Sequence, residues 1–325
     1  MEKITLGFDT EFCFFDLNQY PKSLVGLVGG TKKTPLLFNN SKFFDEFSNK
    51  ERYNDFYIQE DNVFLEINTP IITTTKDFVS VMKKQNQIID IIAKKLNLCS
   101  LNNSSSIYFP NSELNSEQAN EFGCDPDFNA WTGKVNESPK RRTNLRTTGA
   151  HLHIGYENHS LEQTMEIVKF LDITFGLFSI AAMSQNERVL LYGKMGAFRP
   201  KPYGLEYRFL PTAFLPHISR RTKHSSDSGY IDIKFDQYIN YSSIIEFIKA
   251  IVKITREHTL ENFVNKDVLD LIIFAILSND HLLSRNIIKS KYYNDLLLKI
   301  CEYFPDNKNL FGDLNSTILP NFKLN

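Results

Sequence analysis

Four short stretches of the chain set ionisable residues among large apolar ones. They are Asp9 and Glu11 within 4–15, Glu66 within 63–68, His151 and His153 within 149–155, and Glu206 and Arg208 within 203–210. Where two such residues occur they stand two positions apart. A strand sends alternate side chains to opposite faces, so each stretch would bury its apolar residues and present acids, imidazoles or a guanidinium on the other side. Four strands of this kind laid side by side make one sheet face rich in carboxylates, histidines and arginine. Such a face binds divalent cations and phosphate oxygens.

Each residue also has a plainer use. Asp9 and Glu11 suit an exposed strand edge, but their strand is otherwise very apolar. Two like charges on one face also repel unless a cation offsets them. Glu66, between Leu65 and Ile67, is ambiguous by itself. His151 and His153 form a His-x-His pair whose imidazoles share one side, a common metal-ligand arrangement, bracketed by Gly149 and Gly155. The segment 194–210 supplies Arg199, Lys201 and Arg208 as cations beside Glu206, with glycines at 193, 196 and 204. A simple salt-bridge cluster is the alternative there. Oxygen ligands with one neutral imidazole favour Mg²⁺ or Mn²⁺ over a closed zinc site. Metals beside arginines point to a polyphosphate, whose charge must be offset before a nucleophile approaches.

These strands need a scaffold. Residues 4–15 alternate, with Ile4, Leu6 and Phe8 opposite Gly7, Asp9 and Glu11. Residues 56–68 read as two strands turning at Glu60-Asp61-Asn62. The glycines of 25–30 lack the Gly-Lys-Ser/Thr of a phosphate loop and suit a turn. Thr74 with Asp77, and Ser160 with Gln163, open helices as capping boxes, the second running to about Asn186. Residues 99–148 are polar and turn-rich, a length of loop that is usually functional. Residues 216–230 read as a flexible connection, and the pattern from about 236 to 304 is helical. Half-polar strands interleaved with helices indicate an α+β fold rather than a parallel sheet covered on both faces.

Composition narrows the class. The 325 residues, 42% hydrophobic and 23% charged, fit a soluble globular protein, and 27 phenylalanines imply an aromatic core. A net charge of -1 argues against a general polyanion binder, although Lys140-Arg141-Arg142 followed by Arg146 is a local basic run. No base-reading or stacking motif for nucleic acid is present. The four cysteines make no Cys-x-x-Cys pair and suit a reducing cytoplasm. No signal-peptide pattern or membrane-spanning run is seen.

The order of the motifs resembles the carboxylate–amine ligase superfamily, which includes glutamate–cysteine ligases and glutamine synthetases. The residues that carry it are Gly7-Phe8-Asp9-Thr10-Glu11, Phe64-Leu65-Glu66-Ile67-Asn68, Thr148-Gly149-Ala150-His151-Leu152-His153 and Tyr203-Gly204-Leu205-Glu206-Tyr207-Arg208. Gly123-Cys124-Asp125-Pro126-Asp127-Phe128, Arg146-Thr147-Thr148-Gly149 and Leu191-Tyr192-Gly193 through Arg199 make it more similar to the phage-type (type 2) family. The resemblance implies a single catalytic domain over 1–325, with core motifs in 4–215 and a helical part in 236–325. It implies a glutamine-synthetase-like curved antiparallel sheet, a half-barrel funnel with helices outside. It implies an ATP- and Mg²⁺-dependent ligase that joins a carboxylate to an amine through an acyl-phosphate, on small-molecule or peptide substrates, with a modified nucleobase as a further option. Glu11, Glu66, His151 and Glu206, with Asp9, would hold metal. Arg208 and Arg199 would bind phosphate and stabilise the transferring group, with Lys201 a further nucleotide contact. The acid expected shortly before Glu66 is either Glu60 or Asp61. A phage source would place the protein in the host cytoplasm. A phosphotransferase of related fold and a non-catalytic nucleotide-binding protein are the alternatives.

Overall fold

The alternation at the N-terminus folds as β1 (Thr5–Phe12), with Leu6 and Phe8 buried in the core and Gly7, Asp9 and Glu11 on the opposite face. The computed structural model describes residues 3–44, 53–100, 105–121, 127–137, 143–182, 187–215 and 241–303. After β1 come β2 (Phe14–Phe15), β3 (Pro21–Lys22), β4 (Leu36–Leu37), β5 (Tyr57–Asp61) and β6 (Phe64–Asn68). Next are β7 (Cys99–Ser100), β8 (Ser106–Tyr108), β9 (Phe128–Asn129), β10 (Lys134–Val135) and β11 (Leu145–Thr147). The last three are β12 (Ala150–Gly155), β13 (Ala197–Lys201) and β14 (Gly204–Tyr207). The turn between β5 and β6 falls later than the sequence suggests. Asp61 completes β5, and Asn62 makes the turn in the left-handed region at φ 56°. Asparagine tolerates that conformation because its short polar side chain bonds locally.

Among the described residues, nine strands form one antiparallel sheet in the order β10-β9-β13-β14-β12-β1-β6-β5-β4, not closed into a barrel. The four motif strands β14, β12, β1 and β6 are therefore contiguous. The register sets Glu11 opposite Glu66, Glu66 opposite Gln59, and Asp9 between Asn68 and His151. On the other side, His153 lies opposite Glu206, and Glu206 opposite Arg199. Since directly paired residues share a face, the candidate residues converge on one wall. Two small sheets, β3-β2-β7 and β8-β11, flank it.

The helices are α1 (Thr75–Leu96), α2 (Glu117–Asn120), α3 (Leu161–Leu171), α4 (Leu177–Ala182), α5 (Arg188–Leu191), α6 (Tyr241–Ile254), α7 (Lys266–Leu277), α8 (His281–Ile288) and α9 (Lys291–Glu302). Both capping boxes are present, Thr74 with Asp77 and Ser160 with Gln163. α1 packs on the apolar side of the sheet, where Phe78 meets Phe8 edge to face at 5.8 Å. Burying such aromatic pairs contributes roughly 0.5–1.5 kcal/mol beyond area alone.

The helix expected from 160 to about 186 is interrupted. Residues Asp172–Gly176 form a π-helical turn between α3 and α4. The cause is polar. Asp172 accepts from Trp131 Nε1, Gly196 N and Tyr207 Oη, each at 2.7 Å, and Thr174 Oγ1 donates back to Phe170 O at 2.6 Å. The Thr174 bond competes with the regular helical ladder, and the three donors anchor Asp172 where the ladder shifts. The region read as one long loop, 99–148, contains β7–β11 and α2 among its described residues. The segments 122–126 and 138–142, which include Lys140-Arg141-Arg142 and part of the phage-type motif, lie outside the described residues, as does the connection 216–240. Among the described residues no helix is long and apolar enough to cross a membrane.

Candidate functional site

The polar face divides into two halves. In the first, β1, β5 and β6 bring together Glu11, Asp61 and Glu66, each offering an oxygen within 4.8 Å of the others, all three buried. Each carboxylate has one oxygen tied down. Gly149 N donates to Glu11 Oε2 at 2.6 Å. Gln59 Nε2 and Asn68 Nδ2 donate to Glu66 Oε1 at 2.8 and 2.9 Å. The Lys32 ammonium stands 2.6 Å from Asp61 Oδ1. Bonds of this kind orient carboxylates around a cation, because holding one oxygen aims the other.

Gly149 makes the Glu11 contact feasible. A Cβ there would stand 2.9 Å from Arg188 Nη2 and 3.0 Å from His151 Nε2. Its neighbour Arg188 is fully buried and donates to the carbonyls of Thr148, Phe209 and Arg208 at 3.0, 2.8 and 3.1 Å. It pins the link between β11 and β12, just before His151, and the chain leaving β14 at Arg208. Burial lowers its pKa to about 10, so it stays charged at neutral pH.

The acidic half is short of positive charge. Burial, then the charge of Asp61, raises Glu11 to about 7. Burial raises Glu66 well above the usual carboxylate range, with Asp61, Asp9 and Glu11 adding to it. A divalent cation with oxygen bonds of about 2.1 Å holds ligand oxygens up to roughly 4.2 Å apart, so side-chain adjustments of under about 1 Å would close this set around one ion. The donors and their charge fit Mg²⁺ or Mn²⁺.

The second half, on β12–β14, has the opposite character. Glu206 is met by Arg199 Nη1 at 3.2 Å, by Lys201 Nζ at 2.7 Å and by Arg208 Nη1. Arg208 Nε also reaches Asp127 Oδ2 at 3.2 Å. Burial raises Glu206, but the positive charge around it, from His151 when its ring is protonated and from Arg208 and Arg199, holds it below its usual value. His151 Nδ1 lies 3.6 Å from Glu206 Oε1. Burial, then the charge of Arg208, lowers the His151 pKa far enough to keep the ring neutral. The guanidinium and ammonium groups therefore supply the field at neutral pH.

Between the halves runs a hydrogen-bonded line. His153 Nε2 is 2.7 Å from Asp9 Oδ2, and its Nδ1 is 2.6 Å from Tyr203 Oη. In the Nε2–H tautomer the ring donates to Asp9 and accepts from the tyrosine hydroxyl at Nδ1.

The residues read from sequence as metal ligands are thus all on one face but not in one cluster. Glu11 and Glu66 join the acidic triad. His151 and Glu206 lie with the arginines, and Asp9 pairs with His153. Asp61, rather than Glu60, is the acid that accompanies Glu66. Glu60 points the other way and accepts from the backbone N–H groups of Gly26, Val28 and Gly29 at 2.8, 2.9 and 2.9 Å. The glycine turn is thereby closed on a carboxylate of its own chain. Arg146 is likewise structural: its Nε donates to Asn62 Oδ1 at 3.0 Å and pins the β5–β6 turn. Lys32, Gln59 and Asp127 were not singled out individually by the sequence. Period-two counting back from Glu66 leads to Glu60; Gln59 and Asp61 share its face only because the turn follows Asp61, and Lys32 had no such signal. No family model matches the chain, and no curated protein matches it.

Proposed function

We propose that the protein is an ATP- and Mg²⁺-dependent ligase that forms an amide between a carboxylate and an amine. The observation that carries this reading is the charge division of the polar face. Three carboxylates with one half-exposed ammonium, Lys32, among them occupy one half, and a cation-rich cluster occupies the other. Two strand spacings, about 10 Å, separate β1 from β14. A metal-bound triphosphate is positive at its metal and negative along its phosphates, and it matches both halves. The glutamine-synthetase-like half-barrel belongs to the same proposal; the open antiparallel sheet with helices packed on its apolar side supports it.

Glu11, Asp61 and Glu66 would hold Mg²⁺, which when bound offsets triphosphate charge. Arg208, Arg199 and Lys201 would hold the phosphate oxygens, and Glu206 and Asp127 would fix the arginines in place. A planar guanidinium suits this use because it offers paired donors without reorganising. An oxygen of the substrate carboxylate attacks the γ-phosphorus, the bond to the β-phosphate oxygen breaks, and ADP leaves with the electron pair. The neutral amine then attacks the acyl carbon of the acyl-phosphate. The carbon–oxygen bond to phosphate breaks, phosphate leaves, and the nitrogen gives up its proton to yield the amide.

The test is incubation with ATP, Mg²⁺ and paired libraries of carboxylates and amines. ADP is expected only when both partners are present, with a product lighter by one water than their sum. A stable product that has gained a phosphate would make the protein a phosphotransferase. ADP release with no amide under any pairing would overturn the ligase reading.

A further inference from the structure

We infer that Lys32 is a built-in competitor for the divalent cation: its ammonium stands at the triad beside Asp61, and it is displaced when the metal binds. The inference rests on the cation reading of the acidic half given above.

Lys32 is delivered by a loop whose backbone is fixed. Glu60 accepts from three amides of that loop, those of Gly26, Val28 and Gly29. Gly30 adopts φ +79°, and a Cβ there would lie 2.6 Å from Ile58 O, so the chain passes against β5 where no larger residue fits. Thr31 bridges to Glu60 in β5 and closes a tight turn with Thr34, through backbone bonds of 3.0 and 3.1 Å and paired hydroxyls at 2.9 Å. Lys32 and Lys33 form the tip of that turn.

The side chain is held differently from the backbone. Lys32 keeps 47% of its side chain exposed, while Asp61 keeps 11%. The ammonium therefore reaches a buried carboxylate along a half-exposed stem. The half-exposed stem gives the head a route to solvent, so it can turn away from Asp61 when a second cation takes its place, with the loop backbone unmoved. A metal ligand's orienting partner is typically a buried neutral donor, as Gln59, Asn68 and the Gly149 amide are for the other two carboxylates. Lys32 differs from these in carrying the same sign of charge as the metal. Once displaced, it remains beside the site and can pair with an anion that accompanies the cation. This favours a metal–polyphosphate complex over the bare ion.

The experiment is Mn²⁺ binding to the full chain by calorimetry, in wild type, Lys32→Met and Lys32→Arg. Removing a unit charge beside a divalent ion should tighten Mn²⁺ binding about tenfold in Lys32→Met, and Lys32→Arg should stay near wild type. Acetylation read by mass spectrometry gives a second measure. Mn²⁺ should raise labelling of Lys32 in wild type and leave that of Lys33 unchanged. Equal or weaker Mn²⁺ binding in Lys32→Met overturns the inference and makes Lys32 an orienting residue, with the metal site intact. No Mn²⁺ binding in any of the three proteins overturns it together with the cation reading.

Discussion

Glu66 and Glu206 are glutamates on the same sheet face, both buried, yet their surroundings give them opposite properties. Glu66 sits among carboxylates and takes two bonds from neutral amides, and its proton is held well above the usual range. Glu206 sits among Arg199, Lys201 and Arg208, and it stays ionised well below that range. Burial pushes both upward; the neighbours decide the result. One half of the face therefore calls for a cation and the other for an anion. That difference, rather than the presence of any one motif, is the physical basis for proposing a metal–polyphosphate ligand.

The comparison can be broken most severely through activity. Arg208→Met removes a donor from the anion-binding half, and ligase turnover should fall about 10²–10³-fold with the fold intact, as measured by ADP release and circular dichroism. Unchanged turnover would remove the arginines from the chemistry. Next in size is Glu206→Gln. It leaves buried guanidinium groups short of a counter-charge and should cost about 3 kcal/mol in denaturant unfolding. The wild-type contribution of Glu206 is present above the unfolded glutamate value and is lost as pH falls.

The acidic half should show the reverse sign. Glu11 binds a proton in the folded state up to about 7 but unfolds with a value of 4.5. The folded state then holds more protons between those values. In metal-free protein its contribution is full below about 4.5 and declines as pH rises to about 7, a change on the order of 3 kcal/mol. Asp172, also raised to about 7, acts with the same sign. Glu11→Gln should therefore flatten part of the slope and Asp172→Asn another part, and Mn²⁺ should restore stability at pH 7.5 only when the triad is intact. Melting curves across pH check this. The smallest effect is that of Glu66→Gln: the carboxyl already holds its proton well above the usual range, so the amide nearly matches it and the stability of metal-free protein should change by under about 1 kcal/mol, against the larger loss in Glu206→Gln.

Much of this face was legible from period-two spacing. Alternation around Asp9, Glu11, His151, His153 and Glu206 named the strands, and their polar residues do share one wall. Alternation cannot say which residues touch across strands, because register depends on turns. The division of His151 and Glu206 from Glu11 and Glu66 was hidden for that reason. The choice between Glu60 and Asp61 turned on one residue of turn position, set by Asn62 and by the amides that claim Glu60. Lys32 was invisible because it reaches the site from a loop with no periodicity. The π-turn at Asp172 was equally hidden, since helical periodicity carries no sign of the Thr174 back-bond or of the donors that Asp172 collects from distant parts of the chain.

The central claim is that one ligand spans both halves of the face. Calorimetric binding of Mn²⁺–ATP to wild type, Glu66→Gln and Arg208→Met tests it most directly. The account predicts that wild type binds the complex, that Glu66→Gln loses the contribution of Mn²⁺ while retaining metal-independent binding of ATP, and that Arg208→Met retains Mn²⁺ alone while losing the nucleotide. Wild-type affinity for the complex in both variants would contradict it.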